Sequence, residues 1–543
     1  MSRTRAVRLL SVFALVAGLA LMLAAYGVAG NNAHAKSAKH SATFGTLRAV
    51  IDTVDYLDPQ QAYTGQAWWA MWNVWQTLIT YRHVDGPAGY KLVPGLARSL
   101  PTVSNGGKTY TFFMRKGVKY SNGKAVKASD FKFAIKREFL STGQGVGFYT
   151  DIVGADAFSK TLKGDIPGIK ANNKTGQIVI KLTKPRGDFL TILSLLFAAP
   201  VPAGTPNSIQ NGNIPATGPY RITGYEANRG FTMLRNKYFK ATKYVPRGNP
   251  NRVDVALIGD ANAATQRVIG GQADYTNAAI PPDRIASVKG RGQLVLRKTA
   301  NTYYFWMNVN VAPFNKLKVR QAVNMAIDRK ALQRIVWGGL GTPTQNVLPP
   351  TYPSYRQLNL YPHNVNKARQ LIQQAGAKGA DVTVWTREVS DALTAAQYYV
   401  SVLNGIGLNA KLNSLPRSTY YTTIGNINTK AQTGWARWLE DYPHPLDWFD
   451  VLLNGNRIVQ QDNNNYAYFS NKKINSEIEA LKKAPVLTPA VNAKWAVVEK
   501  QIMQQAPWAP WSNRVFPEFF SKSMGCIHIQ RLYGIDLARL CKK

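Results

Sequence analysis

The sequence predicts a mixed α/β protein built from more than one domain, and three observations carry that prediction. The chain has 543 residues, enough for a large core and more than one core usually serves. Runs with the period of a strand alternate with runs with the period of a helix along its length. The composition, 45% hydrophobic and 18% charged, is ordinary for a soluble globular chain. There is no short-period repeat and no coiled-coil heptad.

The first element is a targeting segment. Arg3, Arg5 and Arg8 precede an apolar run from Leu9 to Ala29, and Ala33-His34-Ala35 offers a small-residue cleavage site. The run is long enough to span a bilayer, so residues 1–35 read as a cleaved leader or a retained anchor; the small-residue end favours cleavage. Residues 36–43 read as a polar tether. Trp68, Trp72 and Trp75 then share one face of a helix, a pattern that belongs to a core more often than to a binding surface. From Lys108 to Arg137 the chain reads as strand, turn and helix. Tyr110, Phe112 and Met114 alternate with Thr111, Phe113 and Arg115; Asn122-Gly123 supplies a turn; Ser129 is placed to cap a helix carrying Phe131, Ala134, Ile135 and Phe139. Gln177–Leu182 and Gln293–Arg297 read as strands. Lys318–Val336 is a predicted amphipathic helix, with Val319, Ala322, Val323, Ala326 and Ile327 at i, i+3, i+4, i+7 and i+8. Lys367–Ala375 is another, capped by Asn366 and stopped by Gly376.

Charge and motifs restrict the function. There are 67 basic residues against 29 acidic ones, a net charge of +38. No dense Lys/Arg block, zinc-finger spacing or RNA-binding aromatic motif accompanies it, so no nucleic-acid partner is expected. A spread cationic surface suits anionic lipids, wall polymers or acidic surroundings. Cys526 and Cys541 are the only cysteines, and a disulfide between them fits an exported protein. Gly107-Lys108-Thr109 looks like the end of a phosphate-binding loop, but position 102 is Thr rather than Gly, and a strand follows instead of a helix. The six histidines are scattered, and neither HExxH nor Gly-x-Ser-x-Gly occurs. Glu440 and Asp441 are adjacent, and neighbours on an extended chain point to opposite sides, a poor pair for glycoside hydrolysis. No enzyme, cofactor or metal site is expected. The aromatic share of 11%, with 13 Trp, suits either a large core or a ligand surface.

A series of fragments adds a family resemblance. They run from Leu57-Asp58-Pro59, Trp75-Gln76-Thr77-Leu78, Pro94-Gly95-Leu96-Ala97 and the Lys108–Arg137 string to Ala216-Thr217-Gly218-Pro219-Tyr220 and Gly271-Gln272-Ala273-Asp274. Pro313-Phe314, Val319-Arg320-Gln321-Ala322, Ile327-Asp328-Arg329, the stretch Trp438 to Pro445, Tyr468-Phe469-Ser470-Asn471 and Ala506-Pro507 complete the order. In number and order they resemble the family-5 solute-binding proteins, the extracytoplasmic oligopeptide- and dipeptide-binding receptors of ABC importers. The resemblance implies a two-lobed periplasmic-binding-protein type II fold with an additional inserted domain. One lobe would be discontinuous, from 44–75, 214–298 and 510–543; the insertion would cover 76–213 and the other lobe 299–509. Many such proteins are lipoproteins with Cys after Leu-Ala-Ala; here Leu23-Ala24-Ala25 is followed by Tyr26, so no lipid-anchor cysteine is available.

The resemblance also nominates a site. Asp441 would hold a ligand ammonium, flanked by Trp438, Tyr442, Pro443 and Pro445, whereas Glu440 replaces a small residue and His444 a second acid. An Asp before Tyr-Pro equally serves as a turn cap. Trp435 and Trp438 would flank the ligand, and Trp448 would lie in the core. Tyr63, Trp68 and Trp69 would approach from the other lobe. Thr217 and Gly218 would form either a tight turn or a cleft edge. The expected function is a monomeric, exported receptor that closes on a short peptide and delivers it to ABC permease subunits. Another solute (an oligosaccharide, opine or metal chelate), a cationic envelope-binding protein and a secreted hydrolase are the alternatives.

Overall fold

Alternating burial produces the strand Thr109–Phe113, whose Tyr110 and Phe112 point inward and whose inner face continues into Met114. In the computed structural model, residues 44–141, 143–209, 212–278, 280 and 284–543 are described. The leader or anchor at 1–35 and the tether at 36–43 lie outside them. Among the described residues no helix is long and apolar enough to cross a membrane.

Three local expectations are corrected. The helix Ala128–Leu140 starts one residue before Ser129, with Lys127 at the cap position. The Asp130 carboxylate reaches back to accept the Lys127 N–H at 2.9 Å, satisfying the helix start without a serine cap. Lys318–Val336 is not one helix but two, Leu317–Ala326 and Arg329–Trp337. Asp328 leaves helical geometry and accepts from the N–H groups of Lys330 and Ala331, both at 3.0 Å. Such a cap starts a new helix in place of continuing the old. The later helix, Val365–Gln374, is capped by Asn364 rather than Asn366, with Asn364 Oδ1 accepting from Lys367 N at 2.8 Å. Gly376 follows its end with φ +57°, the left-handed conformation glycine accepts most readily.

The strands assemble into a 12-stranded mixed sheet. Its first half runs Tyr220–Glu226, Gly230–Arg235, Pro250–Leu257, Phe44–Ile51 and Tyr275–Thr276. Its second half runs Asn301–Met307, Thr433–Leu439, Asp381–Arg387 and Asn409–Leu415. The long strand Trp508–Phe520 belongs to both. Up to Arg514 it pairs with Asn301–Met307 and Gly341–Pro343; from Val515 onward it pairs with Gln293–Lys298. The chain crosses between the halves a second time alongside, from Lys298 to Asn301. Two neighbouring crossings are thus the covalent links between the two halves of the sheet.

The 76–213 stretch contributes a four-stranded antiparallel sheet, ordered Thr102–Ser104, Thr109–Phe113, Gln177–Lys181, Ile169–Asn172. It does not enclose a core of its own. One apolar cluster runs from Leu47 through Tyr110, Phe131, Ile178 and Phe231 to Leu540. A fully buried ion pair, Arg137 with Asp58, ties the same parts together, and Arg137 Nη1 also donates to Gln60 Oε1 at 2.7 Å. The second half of the sheet has separate cores on its two faces. Cys526 and Cys541 are joined in a disulfide near the C-terminus.

Candidate functional site

The strand Thr433–Leu439 ends where Glu440 N donates to Ala300 O at 3.0 Å, and the chain then turns tightly. Asp447, at the start of the helix Leu446–Leu452, holds that turn. Its Oδ2 accepts from the backbone N–H of Asp441 at 3.0 Å and from Trp438 Nε1 at 3.1 Å. His444 Nδ1 accepts from Leu446 N at 3.2 Å, and burial pushes its imidazole down to about 4, so the ring stays neutral at pH 7. The loop thereby presents the Asp441 carboxylate toward the other half of the molecule.

From that other half comes Tyr63, whose Oη donates to Asp441 Oδ2 at 2.5 Å. Tyr63 is fixed by Asp55, which accepts from Tyr63 N at 2.6 Å, from Thr64 N at 3.0 Å and from Thr64 Oγ1 at 2.8 Å. Beside this contact, Tyr90 and Tyr352 donate to the two oxygens of Glu440 at 2.6 and 2.7 Å. Tyr442 Oη donates to Asp188, itself paired with Arg186. Gly187 N also donates to Lys482 O at 2.8 Å. Segments from both halves therefore meet around residues 440–447.

The electrostatics of this meeting point are unusual. Among the described residues, Glu440, Asp441 and Asp447 form no ion pair, although Glu440 and Asp447 are buried and Asp441 is half-buried. Burial pushes the Asp441 carboxyl up to about 7; Glu440 adds to the rise and the Tyr63 hydrogen bond opposes it. Burial and the neighbouring Asp441 hold Asp447 far above the usual carboxylate range. Asp447 Oδ1 is buried with no hydrogen-bond partner. Raised in this way, the carboxyls are held toward their protonated, neutral forms, Asp447 most strongly, while the Arg531 charge acts against the rise at Glu440. A positively charged guest placed beside them would draw the protons off and gain charge-assisted hydrogen bonds to the ionised groups.

A second, oppositely charged surface lies on the same half of the sheet. Arg387 ends the strand Asp381–Arg387 and is only 4% exposed. Its guanidinium stacks over Trp435 at 4.5 Å, and its Nε has no partner. Arg437 Nη1 donates to Tyr303 Oη at 3.2 Å. Neither arginine forms an ion pair among the described residues. The one carboxylate acting on both, Asp391, is already paired with Arg514 at 3.3 Å.

The nominated residues distribute unevenly. Tyr63, Asp441 and Trp438 are brought together, the last through Asp447. Tyr442 lies next to them but is fully buried, bonded to Asp188. Trp68 packs behind Tyr63, at 5.9 Å between ring centroids, with Nε1 donating to Ala62 O at 2.7 Å. Trp69 turns away toward Tyr275, at 5.6 Å. Trp435 is 0% exposed and supports Arg387 from beneath. Trp448 is buried, with Nε1 donating to Tyr352 Oη at 2.9 Å. Thr217 and Gly218 sit against the segment where the inserted stretch begins. Thr217 Oγ1 accepts from Gln76 N at 2.9 Å and Gly218 N donates to Val74 O at 2.7 Å. A Cβ at Gly218 would lie 2.8 Å from the Val74 backbone, so the glycine allows that close approach.

Residues 91–460 match the model of the bacterial extracellular solute-binding proteins, family 5 (middle region). The chain belongs to this family. Family 5 members are receptors for solutes, not enzymes, and they work with ABC permeases. The chain is 27% identical to heme-binding protein A of Haemophilus influenzae over 480 residues, covering 82% of each chain. It is 28% identical to di/tripeptide-binding protein 1 of Pseudomonas aeruginosa, covering 70% of this chain and 73% of that one. Among solved structures, the clavulanic acid biosynthesis oligopeptide binding protein 2 superposes with a TM-score of 0.83 at 24% identity, covering 92% and 95% of the two chains. The α/β fold is that of the oligopeptide- and dipeptide-binding members.

Sequence reasoning missed Asp447, Tyr90, Tyr352, Arg387 and Arg437. The arginines carried a readable signal. Arg387 closes a strand whose Val382 and Val384 are core, and Arg437 interrupts the apolar run from Trp435 to Leu439. The tyrosines carried none, because their partner Glu440 is distant in sequence.

Proposed function

We propose that this family 5 receptor captures a short peptide with a free amino end outside the membrane and hands it to an ABC permease. Asp441 holds the ammonium, Asp447 fixes the loop that presents it, and Arg387 with Arg437 receives the carboxylate end. The observation that carries the reading is the group of buried and half-buried carboxylates at 440, 441 and 447, which form no ion pair among the described residues, with Tyr63 touching Asp441 from the opposite half. A guest ammonium supplies the missing charge in a site from which closure removes water, where the attraction is strongest. Closure is a bend at the two sheet crossings, Lys298–Asn301 and Arg514–Val515. The lobe boundary is therefore drawn near 515 rather than 510. Ligand favours the closed arrangement because Tyr63 and Asp441 face it together only there.

The test uses the chain from Lys36 onward, purified and inspected by native mass spectrometry for co-purifying small molecules. Thermal shifts then follow with di- to octapeptides, the same peptides N-acetylated, glutathione, hemin and oligosaccharides. Free-amine peptides are expected to stabilise the protein and acetylated ones not. Stabilisation by hemin or a sugar alone would overturn the peptide reading.

A further inference from the structure

We propose that the basic end of this site selects a doubly anionic terminus, a ligand whose last residue carries a side-chain carboxylate beside its α-carboxylate. This rests on the peptide reading above and adds a specificity to it.

Arg387 and Arg437 share their surroundings: Tyr303, Tyr421 and Asp391 act on both. Arg387 is almost wholly removed from solvent, with its flat face on Trp435 and its Nε–H unused. Arg437 spends a donor on the Tyr303 hydroxyl. The nearby acid is committed elsewhere, since Asp391 Oδ2 pairs with Arg514, and its Oδ1 is buried without a partner. Arg514 also lies over Trp337 at 5.0 Å. Three guanidiniums thus share the charge of one carboxylate, which is in contact with Arg514 alone, so the charges of Arg387 and Arg437 are left without an ion pair among the described residues.

A single ligand carboxylate neutralises one of these and leaves the other enclosed without a partner, which is costly in a closed site. Two carboxylates on one residue neutralise both. Each guanidinium offers the planar, two-pronged donor geometry that a carboxylate matches. The surplus of basic residues over the whole chain draws such anions toward the protein. Arg387 anchors the α-carboxylate, and Arg437, beside the tyrosine hydroxyls, reads the side-chain carboxylate.

Alanine-based di- to pentapeptides ending in Glu, Gln or Ala, all with free amines, are titrated calorimetrically into the protein and into Arg437→Gln. The Glu-terminated member of the best-fitting length is expected to bind at least tenfold more tightly than its Gln counterpart. In Arg437→Gln that ratio falls toward one, whereas Arg437→Lys, which keeps the charge, retains part of it. Circular dichroism and the melting temperature establish that each variant is folded. Equal binding of Glu and Gln peptides would overturn this inference and leave the peptide reading intact. A Glu preference that persists in folded Arg437→Gln would remove Arg437 from the role. Failure of every peptide to bind would overturn both readings.

Discussion

Replacing Asp441 with Asn keeps the side chain's shape and an oxygen for the Tyr63 hydroxyl to donate to, but removes the charge. In the proposed complex the carboxylate faces an ammonium in a site that closure dries. Breaking a buried pair by removing one charge typically costs about 3–5 kcal/mol. Here the Asp441 carboxyl is only partly ionised near pH 7 before the guest arrives, so the lower end applies: about 3 kcal/mol, or on the order of 150-fold in Kd. The ligand-free protein is expected to respond in the opposite sense. Its Asp441 carboxyl, pushed up to about 7, stands above the ordinary value of about 3.9, so the folded state holds a proton that the unfolded chain releases. Ligand-free stability therefore declines as pH rises from about 4 to about 7, and Asp441→Asn removes Asp441's contribution to that decline. The ammonium needs the ionised acid, so peptide affinity should climb between pH 5.5 and 7. It should fall again above about pH 8, as the peptide's own amine deprotonates. Calorimetry across that range, with melting curves on both proteins, reads all of these effects. Unchanged affinity in Asp441→Asn, or a variant that melts lower than the parent at pH 8, would refute the reasoning.

Further outcomes follow from other contacts. Tyr63→Phe removes the only donor to Asp441 contributed by the opposite half among the described hydrogen bonds, and a fivefold loss of peptide affinity, about 1 kcal/mol, is expected by calorimetry. Arg137→Met leaves Asp58 buried and unpaired; chemical denaturation should register a loss of about 3–5 kcal/mol, with peptide binding retained at low temperature. Reducing the disulfide opens a loop with a sequence separation of 15 and should cost about 3 kcal/mol, visible as a lower urea midpoint with ligand affinity preserved.

Much of the fold was legible because periodicity reports burial directly. Tyr110, Phe112 and Met114 announced their strand, and the ordered motif fragments pointed to the family that the model match establishes. Helix boundaries were less legible, since capping depends on which polar side chain reaches a free N–H. Asp328 divides a continuous apolar stripe, and Asp130 displaces Ser129 from the cap position, neither of which changes the hydrophobic pattern. At the candidate site, the loop carrying Asp441 was readable from its Trp, Tyr and Pro neighbours. Of its partners, Tyr63 was nominated through the family resemblance, but Tyr90 and Arg531 were not: they approach from segments far along the chain, and only tertiary structure brings them near Glu440. Aromatic residues misled in one direction. Trp69 and Trp435 looked like ligand surface, yet the first packs on Tyr275 and the second lies under Arg387, because large flat side chains stabilise a core as readily as a cleft.

A crystal structure of the protein with a bound free-amine peptide tests the central claim most directly. The peptide's ammonium should lie within hydrogen-bond distance of the Asp441 carboxylate, and its terminal carboxylate against Arg387 and Arg437. A ligand seated away from Asp441, or one that turns its anionic end toward residues 440–447, would contradict the account.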